Sequence, residues 1–525
     1  MKGVIKMKKT ILFLLIVLFL SSFVMADNNK VLKLSLEQCI TQGLKKNLDL
    51  NIEVLTYKES VEGVSSSWGL FIPQLDFQLS ERRTKSPSSS FLEGAEITKT
   101  DASTYNLQLS QKLPTGADLS LNLQSTKTET NNRFYGFNPS YSTRLTLNFT
   151  QPLLKGFGPL VTKKEILIAT NNKKAALYSL KQKVMDIVYS IEEAYWNLVY
   201  AKMNLKVKEE ALRLAKDLLR KNEKQVEVGT LAPIEIMAAK SEVATRESEI
   251  IQAKATIEQA EDNLKKMLNI VDFEKNWDYK IEPVDIPKTE VNFTIPNINE
   301  AIEIAKNNNP VLKQQKFNFK NKEINLKVAK NQMLPTLDLQ ASYWTTGLSG
   351  DRILYENNDF FRGEIIGIIK GDPTDSLKDA LKSIYNNWSV SLNLKIPLSN
   401  SALKAQYASA KIQYDKSLLQ IKTTEQSVIQ EIRNAIREVE SSLKMVHATR
   451  IARELAKSKL DAEIKKLETG LSTNYQVIQY QKDYEQSKSS EVKAIIDLNI
   501  AVLKFKKAIG TLLDDYGIKF KEVLK

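Results

Sequence analysis

Apolar residues recur at every seventh position along much of this chain. Leu198, Leu205, Leu212, Leu219 and Val226 form one such row, flanked by Ala194, Ala201 and Ala215. Beyond Gly229 a second row runs through Ile236, Val243, Ile250, Ile257 and Leu264, accompanied by Ala239, Ala253, Ala260 and Met267. A sustained seven-residue repeat makes helices supercoil around their neighbours, and alanine lets those neighbours approach closely. The core of an ordinary helical bundle has the same periodicity, so the rows alone leave both arrangements open. Proline-free helical patterns cover 163–226 and 401–466, and the first would reach roughly 96 Å at 1.5 Å per residue. The other helical patterns, 35–70, 234–268, 297–333 and 474–512, are about half as long. Two short helices stacked end to end match one long one, which predicts a wall of uniform height rather than a compact globule.

Elsewhere the period changes to two. Tyr141, Thr143, Leu145, Leu147 and Phe149 alternate with Ser142, Arg144, Thr146, Asn148 and Thr150. Trp388, Val390, Leu392, Leu394 and Ile396 alternate with Ser389, Ser391, Asn393 and Lys395. Leu75, Phe77 and Leu79, and again Leu337, Leu339, Ala341 and Tyr343, give the strands upstream of these. One apolar and one polar face over about ten residues is the pattern of a membrane barrel strand, and a half-buried soluble sheet shows it too. An additional hairpin follows the first strand: Tyr105, Leu107 and Leu109, the tight turn Pro114-Thr115-Gly116, then Leu119, Leu121 and Leu123. The flanking segments 83–103 and 126–140 are polar and read as long outer loops. The hairpin then adds two wall strands or folds over the mouth.

The chain is also an internal duplication. Pro73-Gln74-Leu75-Asp76-Phe77 recurs as Pro335-Thr336-Leu337-Asp338-Leu339, and Val228-Gly229-Thr230-Leu231 as Thr469-Gly470-Leu471-Ser472. The helix after the second glycine repeats the seven-residue rows through Val477, Tyr484, Glu491, Leu498 and Phe505, with Tyr480, Ser487, Ala494, Ala501 and Ala508 alongside. The expected organisation is a signal peptide over 1–26, a first repeat over 27–288 and a second over 289–525.

The signal reading rests on Lys2, Lys6, Lys8 and Lys9, the apolar run Ile11–Leu20, and Val24-Met25-Ala26 ahead of a cleavage before Asp27. That run is short for a membrane anchor, which needs about 20 residues, and no later stretch approaches that length. An exported chain without a helical span is soluble or a β-barrel. The formal charge of +13 is interleaved along helical patterns, as in Lys206-Val207-Lys208-Glu209-Glu210, which reads as a solvated face rather than a nucleic-acid site.

In this order the motifs resemble the outer-membrane efflux protein (TolC) family. The resemblance is carried by Leu34-Ser35-Leu36-Glu37-Gln38 with Asn47-Leu48-Asp49-Leu50, their echo in 297–312, and the Pro-x-Leu-Asp strand entries. Gln151-Pro152-Leu153-Leu154 and the Val-Gly-Thr turn with its alanine-rich helix complete the set. It implies a mainly α protein with membrane β-strands: a trimeric α-helical barrel of coiled-coil hairpins joined to a shared transmembrane β-barrel. Four strands per protomer would make twelve, and six would make eighteen. It implies a passive exit duct of a tripartite efflux or type I secretion system, embedded in outer-membrane lipid and working with a periplasmic adaptor and an inner-membrane pump. The turns Val228, Gly229, Thr230, Leu231 and Thr469, Gly470, Leu471, Ser472 would be the adaptor-docking tips, although both glycines also serve as plain helix stops. The entrance constriction would fall at Glu235, Gln476 and Gln479, two of them uncharged where the family often carries aspartate. A periplasmic coiled-coil adaptor without a pore is the alternative.

Catalytic chemistry has little to stand on. One histidine, His447, and one cysteine, Cys39, leave no His/Cys metal site and no Ser–His or Cys–His arrangement. Gly156-Phe157-Gly158 lacks the lysine and serine of a phosphate loop. The expectation is no enzyme activity, no cofactor and no nucleic-acid partner.

Overall fold

In a computed structural model the described residues are 31–88, 93–133, 135–270, 277–290, 295–358 and 363–518. The proposed signal peptide over 1–26 lies outside them. The elements run β1 (Val31–Leu34), α1 (Leu36–Lys46), α2 (Leu48–Trp68), β2 (Gln74–Pro87), β3 (Ile97–Lys112), β4 (Asp118–Thr130), β5 (Phe137–Pro152), α3 (Lys164–Glu227) and α4 (Ile234–Leu268). The second half continues with β6 (Lys280–Pro283), α5 (Ile298–Asn308), α6 (Pro310–Gln332), β7 (Thr336–Tyr355), β8 (Ile365–Ile369), α7 (Pro373–Leu381), β9 (Tyr385–Lys395), α8 (Ser401–Glu468) and α9 (Asn474–Ile509). The long helices stand where the seven-residue rows place them. The patterns over 35–70 and 297–333 are each two helices rather than one.

The reason is visible at the joints. Ser35 starts α1 and Asn297 starts α5 with full capping boxes, closed by Gln38 and Glu300 respectively. Asn47 ends α1 with an extended backbone, and its side chain accepts from Leu50 N (3.0 Å) to start α2. Asn309 ends α5 in the same conformation, immediately before Pro310. An asparagine that ends one helix and starts the next competes with the backbone for hydrogen bonds, which apolar periodicity does not register.

The chain forms two compact units that cut across the duplication. One comprises the chain up to Val54, Leu180–Pro310 and the chain from Gln426; the other comprises Leu55–Ser179 and Val311–Glu425. In the first, β1 pairs in parallel with β6. Tyr195 is fully buried beside this pair, and its hydroxyl donates to Asp285 Oδ2 (2.6 Å). Cys39 is 0 % exposed, and burial together with nearby Asp285 pushes its thiol up to about 12. It is a small apolar core group, as its place on a helical pattern suggests.

The second unit holds one antiparallel sheet, ordered β2-β3-β4-β5-β7, with β9 and β8 sharing the far side of β7. β9 pairs along Thr336–Thr346 and β8 along Arg352–Tyr355. The hairpin β3–β4 lies within the sheet, between β2 and β5. Much of the polar sequence read as outer loops is strand: β2 continues to Pro87, β3 starts at Ile97, and β4 runs to Thr130. These extensions are held by cross-strand threonine pairs, Thr100–Thr130 (3.3 Å) and Thr104–Thr126 (3.2 Å). β-branched polar residues pair well across strands yet provide no hydrophobic alternation to read.

Candidate functional site

Both helix reversals close by the same backbone geometry. Gly229 and Gly470 take φ of +76° and +78°, the left-handed conformation that glycine adopts without strain. At the first tip Gly229 N donates to Val226 O (3.0 Å) and Thr230 N to Gln225 O (2.8 Å). At the second, Gly470 N donates to Leu467 O (3.1 Å) and Leu471 N to Lys466 O (2.8 Å). Each is a Schellman closure, and donors and acceptors correspond residue for residue between the copies. A Cβ built on either glycine would meet nothing within 4 Å, so the backbone there is open to approach. Val228 and Leu471 are among the most exposed large apolar side chains. Thr230 caps inward through Oγ1 to Gln225 O (3.0 Å), and Ser472 donates to Glu463 Oε1 (2.5 Å), holding that carboxyl below its usual range.

The three entrance candidates are placed differently from one another. Glu235 is half-buried in the first turn of α4 and accepts from Asn474 Nδ2 at the start of α9 (3.1 Å). Gln476 is exposed and its backbone N–H is capped by Thr473 Oγ1 (3.3 Å). Gln479, also exposed, donates to Asp483 Oδ1 one turn on (3.4 Å). The acid of the first copy thus meets the second through Asn474, a residue that no sequence pattern singles out.

Between the tips and the β1–β6 pair lies a buried ionic cluster that the sequence patterns do not reveal. Arg246 of α4 is 4 % exposed, with Nε on Glu242 Oε1 (2.8 Å) and Nη1 on Glu249 Oε2 (3.0 Å) and Glu485 of α9. Lys208 of α3 pairs with Glu249 (3.0 Å) and Glu485, and Lys482 with Glu242 (3.1 Å). Burial opposes the charged forms, but the opposite charges outweigh it: Arg246 and Lys208 are held above their usual range and Glu249 below. Half-buried Lys208 and exposed Lys482 add the charges that let Arg246, Glu242 and Glu485 be buried together. The available signal is the spacing of Glu242, Arg246 and Glu249, three and four residues apart on one helix face.

Nearer the tips, Leu218, Leu460, Val477, Ile478 and Tyr484 bring α3, α8 and α9 together. A cavity of about 230 Å³ opens beside them, lined in part by Asn222 and Gln481. The Asn222 carboxamide is buried and, among the described residues, neither its Oδ1 nor its Nδ2 has a partner.

The sheet presents two different faces. On one, Leu75, Phe77 and Leu79 of β2 continue through Tyr105, Leu107 and Leu109 of β3, Leu119, Leu121 and Leu123 of β4, and Leu145, Leu147 and Phe149 of β5. The same band extends over Leu339, Ala341 and Tyr343 of β7 and Trp388, Val390, Leu392 and Leu394 of β9. On the other face the same strands carry Gln78 and Ser80, Asn106 and Gln108, Asn122 and Gln124, Thr146 and Asn148, Gln340 and Ser342, then Ser389 and Ser391. Phe77 is 68 % and Trp388 74 % exposed. The apolar band ends where Arg83 clasps Asp101 (Nε–Oδ1 2.7 Å, Nη2–Oδ2 2.9 Å). On β5 and β7, level with Phe77 and Leu79 of β2, helix α7 covers the same face. Ser376 Oγ lies 2.9 Å from Thr143 Oγ1, and Gly347 passes so close that a Cβ would sit 1.9 Å from Ser376 O.

A sheet polar on one side and broadly apolar and exposed on the other, in a chain of long helical hairpins, has the pattern of a membrane-channel wall. The outer membrane efflux protein family model matches residues 116–269 and 301–511. The chain belongs to that family. It is an efflux exit duct of the cell outer membrane with a long periplasmic helical extension, and not an enzyme. Among solved structures it is similar to the outer-membrane channel OprN, at 14 % identity over 91 % of this chain and 90 % of that one (TM-score 0.65). It is also similar to the CmeC outer-membrane channel of Campylobacter jejuni, at 15 % identity over 93 % and 89 % (TM-score 0.64). A third is the open state of the MtrE outer-membrane channel of Neisseria gonorrhoeae, at 15 % identity over 91 % and 89 % (TM-score 0.61). No curated protein matches the sequence significantly. Family members are homotrimeric and work with adaptor and pump partners. The adaptor alternative is set aside by the family match.

Proposed function

We propose that three copies of this chain enclose one lumen, and that the tips Val228–Leu231 and Thr469–Ser472 are where a periplasmic adaptor docks. The adaptor would couple the duct to an inner-membrane pump that supplies the energy. The observation that carries this reading is the open space over both tip glycines, with Val228 and Leu471 exposed beside them. The same closure also ends α4 at Asn269 and α9 at Gly510, but a Cβ on Gly510 would meet Asn308 C at 2.9 Å. Of these four helix ends only the two tips leave a glycine backbone bare, which lets another hairpin tip come close. Apolar side chains left exposed along the helices, among them Ile251 and Met237 of α4 and Leu455 of α8, supply surface for the neighbouring copies. In the trimer Glu235 would form one ring of three carboxylates at the entrance, steadied by Asn474, while Gln476 and Gln479 would form uncharged rings. The two repeats, 27–288 and 289–525, then each contribute one hairpin to the wall.

Planar-bilayer recording on the purified mature protein, with the mass of the oligomer measured alongside, tests the reading. Discrete conductance from a trimer is expected; a folded monomer that never conducts would overturn it. Docking is tested separately by Gly229→Trp with Gly470→Trp. Export should be lost while trimers persist, and unchanged export would remove the tips from the docking role.

A further inference from the structure

The sheet ends in two free edges. β2 bounds one side and β9 bounds the other along the lower part of β7, and every residue of both strands is exposed. Each strand on the path from β2 to β9 is antiparallel to the last. There are six of them, so the two edges run in opposite directions. An edge of one copy therefore meets the other edge of the next as an antiparallel pair. The side-chain alternation also matches. Leu75, Phe77 and Leu79 on β2 stand on the same face as Trp388, Val390, Leu392 and Leu394 on β9.

In hydrocarbon each unpaired backbone N–H or C=O costs several kcal/mol, and an edge the length of β9 would leave about ten of them unpaired. One chain does not close on itself: β2 and β9 are not paired with each other. A six-stranded ring would have no lumen either, since about eight strands already fill their interior with side chains. A second copy of this chain is the partner whose length, direction and face pattern fit.

The β3–β4 hairpin is part of this wall. β3 pairs with β2 from Gln74↔Ser110 to Pro87↔Ile97, and β4 with β5 from Asp118↔Thr150 to Thr128↔Ser140. Its turn is anchored as well. Gly116 has φ +100° and lies where a Cβ would be 2.6 Å from Gly156 O, Ala117 is fully buried, and Thr115 Oγ1 donates to Gln151 Oε1 (3.0 Å). Strands bracketed on both sides and anchored at the turn are not a flap over the mouth.

We propose that β9 of each copy pairs with β2 of the next, and that the trimer of the proposed function, on which this rests, closes an eighteen-stranded barrel. With strands about 4.8 Å apart and tilted about 40°, eighteen strands give a backbone diameter of roughly 36 Å against roughly 24 Å for twelve. The outlet would have about twice the cross-section of a twelve-stranded one and would pass correspondingly bulkier solutes.

Two measurements on the full chain in lipid nanodiscs test it. Phe77→Cys is combined in turn with Val390→Cys, Leu392→Cys and Leu394→Cys, and oxidised; one of the three registers should give intermolecular disulfides up to the closed trimer. Nitroxide labels at Leu107→Cys and Leu121→Cys should be accessible to oxygen dissolved in lipid, and labels at Asn106→Cys and Asn122→Cys to a water-soluble relaxant. A conducting trimer in which no pair cross-links overturns the edge pairing. Cross-linked trimers whose labels at 107 and 121 face water overturn the eighteen-stranded wall and leave the duct intact. Failure to trimerise or conduct at all overturns the underlying reading instead.

Discussion

Helices α4 and α9 are the same element in two copies, and they bury different things. α9 packs Val477, Tyr484, Val492, Ile496, Leu498, Leu503 and Phe505 into the core. α4 buries Ala239, Ala253, Leu264 and Leu268, but also Glu242, Arg246, Glu261 and Lys265. Its apolar row Ile236, Val243, Ile250 and Ile257 is only half-buried, and Ile251 beside it is exposed. The two helices thus differ in kind: α9 supplies apolar core to the single chain, while α4 leaves its apolar row half-open. The charges inward on α4 tie it to α3 and α9 at Lys208 and Glu485, where a wrong neighbour would leave ions unpaired.

The largest expected effect comes from breaking the ionic side of that comparison. Arg246→Met would leave buried Glu242 and Glu485 and half-buried Glu249 without their shared cation and should cost about 3–5 kcal/mol in chemical denaturation. Leu498→Ala in α9 should cost about 2–5 kcal/mol through the cavity it leaves. Gly470→Ala and Gly229→Ala should each cost about 1–2 kcal/mol, because an L side chain at this φ is strained although space is free. Asn222→Leu should add about 1 kcal/mol by removing an unpaired buried amide. Ile251→Ala in α4, by contrast, should stay within about 0.5 kcal/mol for the isolated chain and show instead as weaker trimers in native mass measurements. Acid gives the smallest and most diagnostic signal. Glu249 is held below its ordinary value, so its stabilisation is complete above about pH 4.5 and fades as pH falls through the lower folded-state value. A stability titration of Glu249→Gln should lack that acid-linked part.

The seven-residue rows and the two-residue alternation make the architecture legible in the sequence itself, and the bounds of α4 coincide with the pattern read over 234–268. What escapes has physical causes. Charged residues on a helix usually face water, so Glu242 and Arg246 give no sign of burial, and which side of α4 turns inward depends on neighbours far along the chain. Thr98, Thr100, Thr126 and Thr128 lie in strands but carry no apolar contrast. Helix α7 is short, and its place depends on the bare backbone of Gly347. The tip turns stand where the glycines put them. Glu491, an acid in the middle of an apolar row of α9, is met by Arg450 and Arg453 of α8, so its oddity in sequence marks a partner rather than a break.

The six-strand path has a consequence for how such ducts change over evolutionary time. Adding a single strand to the path would leave its two edges running the same way, and the ring would then need a parallel seam at every subunit junction. A hairpin avoids this, because it enters between existing neighbours and restores the alternation it interrupts. In a ring closed by the proposed seams, bore would therefore be quantised: one tandem insertion per gene would widen the whole assembly by a hairpin per subunit, and no intermediate width would keep every seam antiparallel.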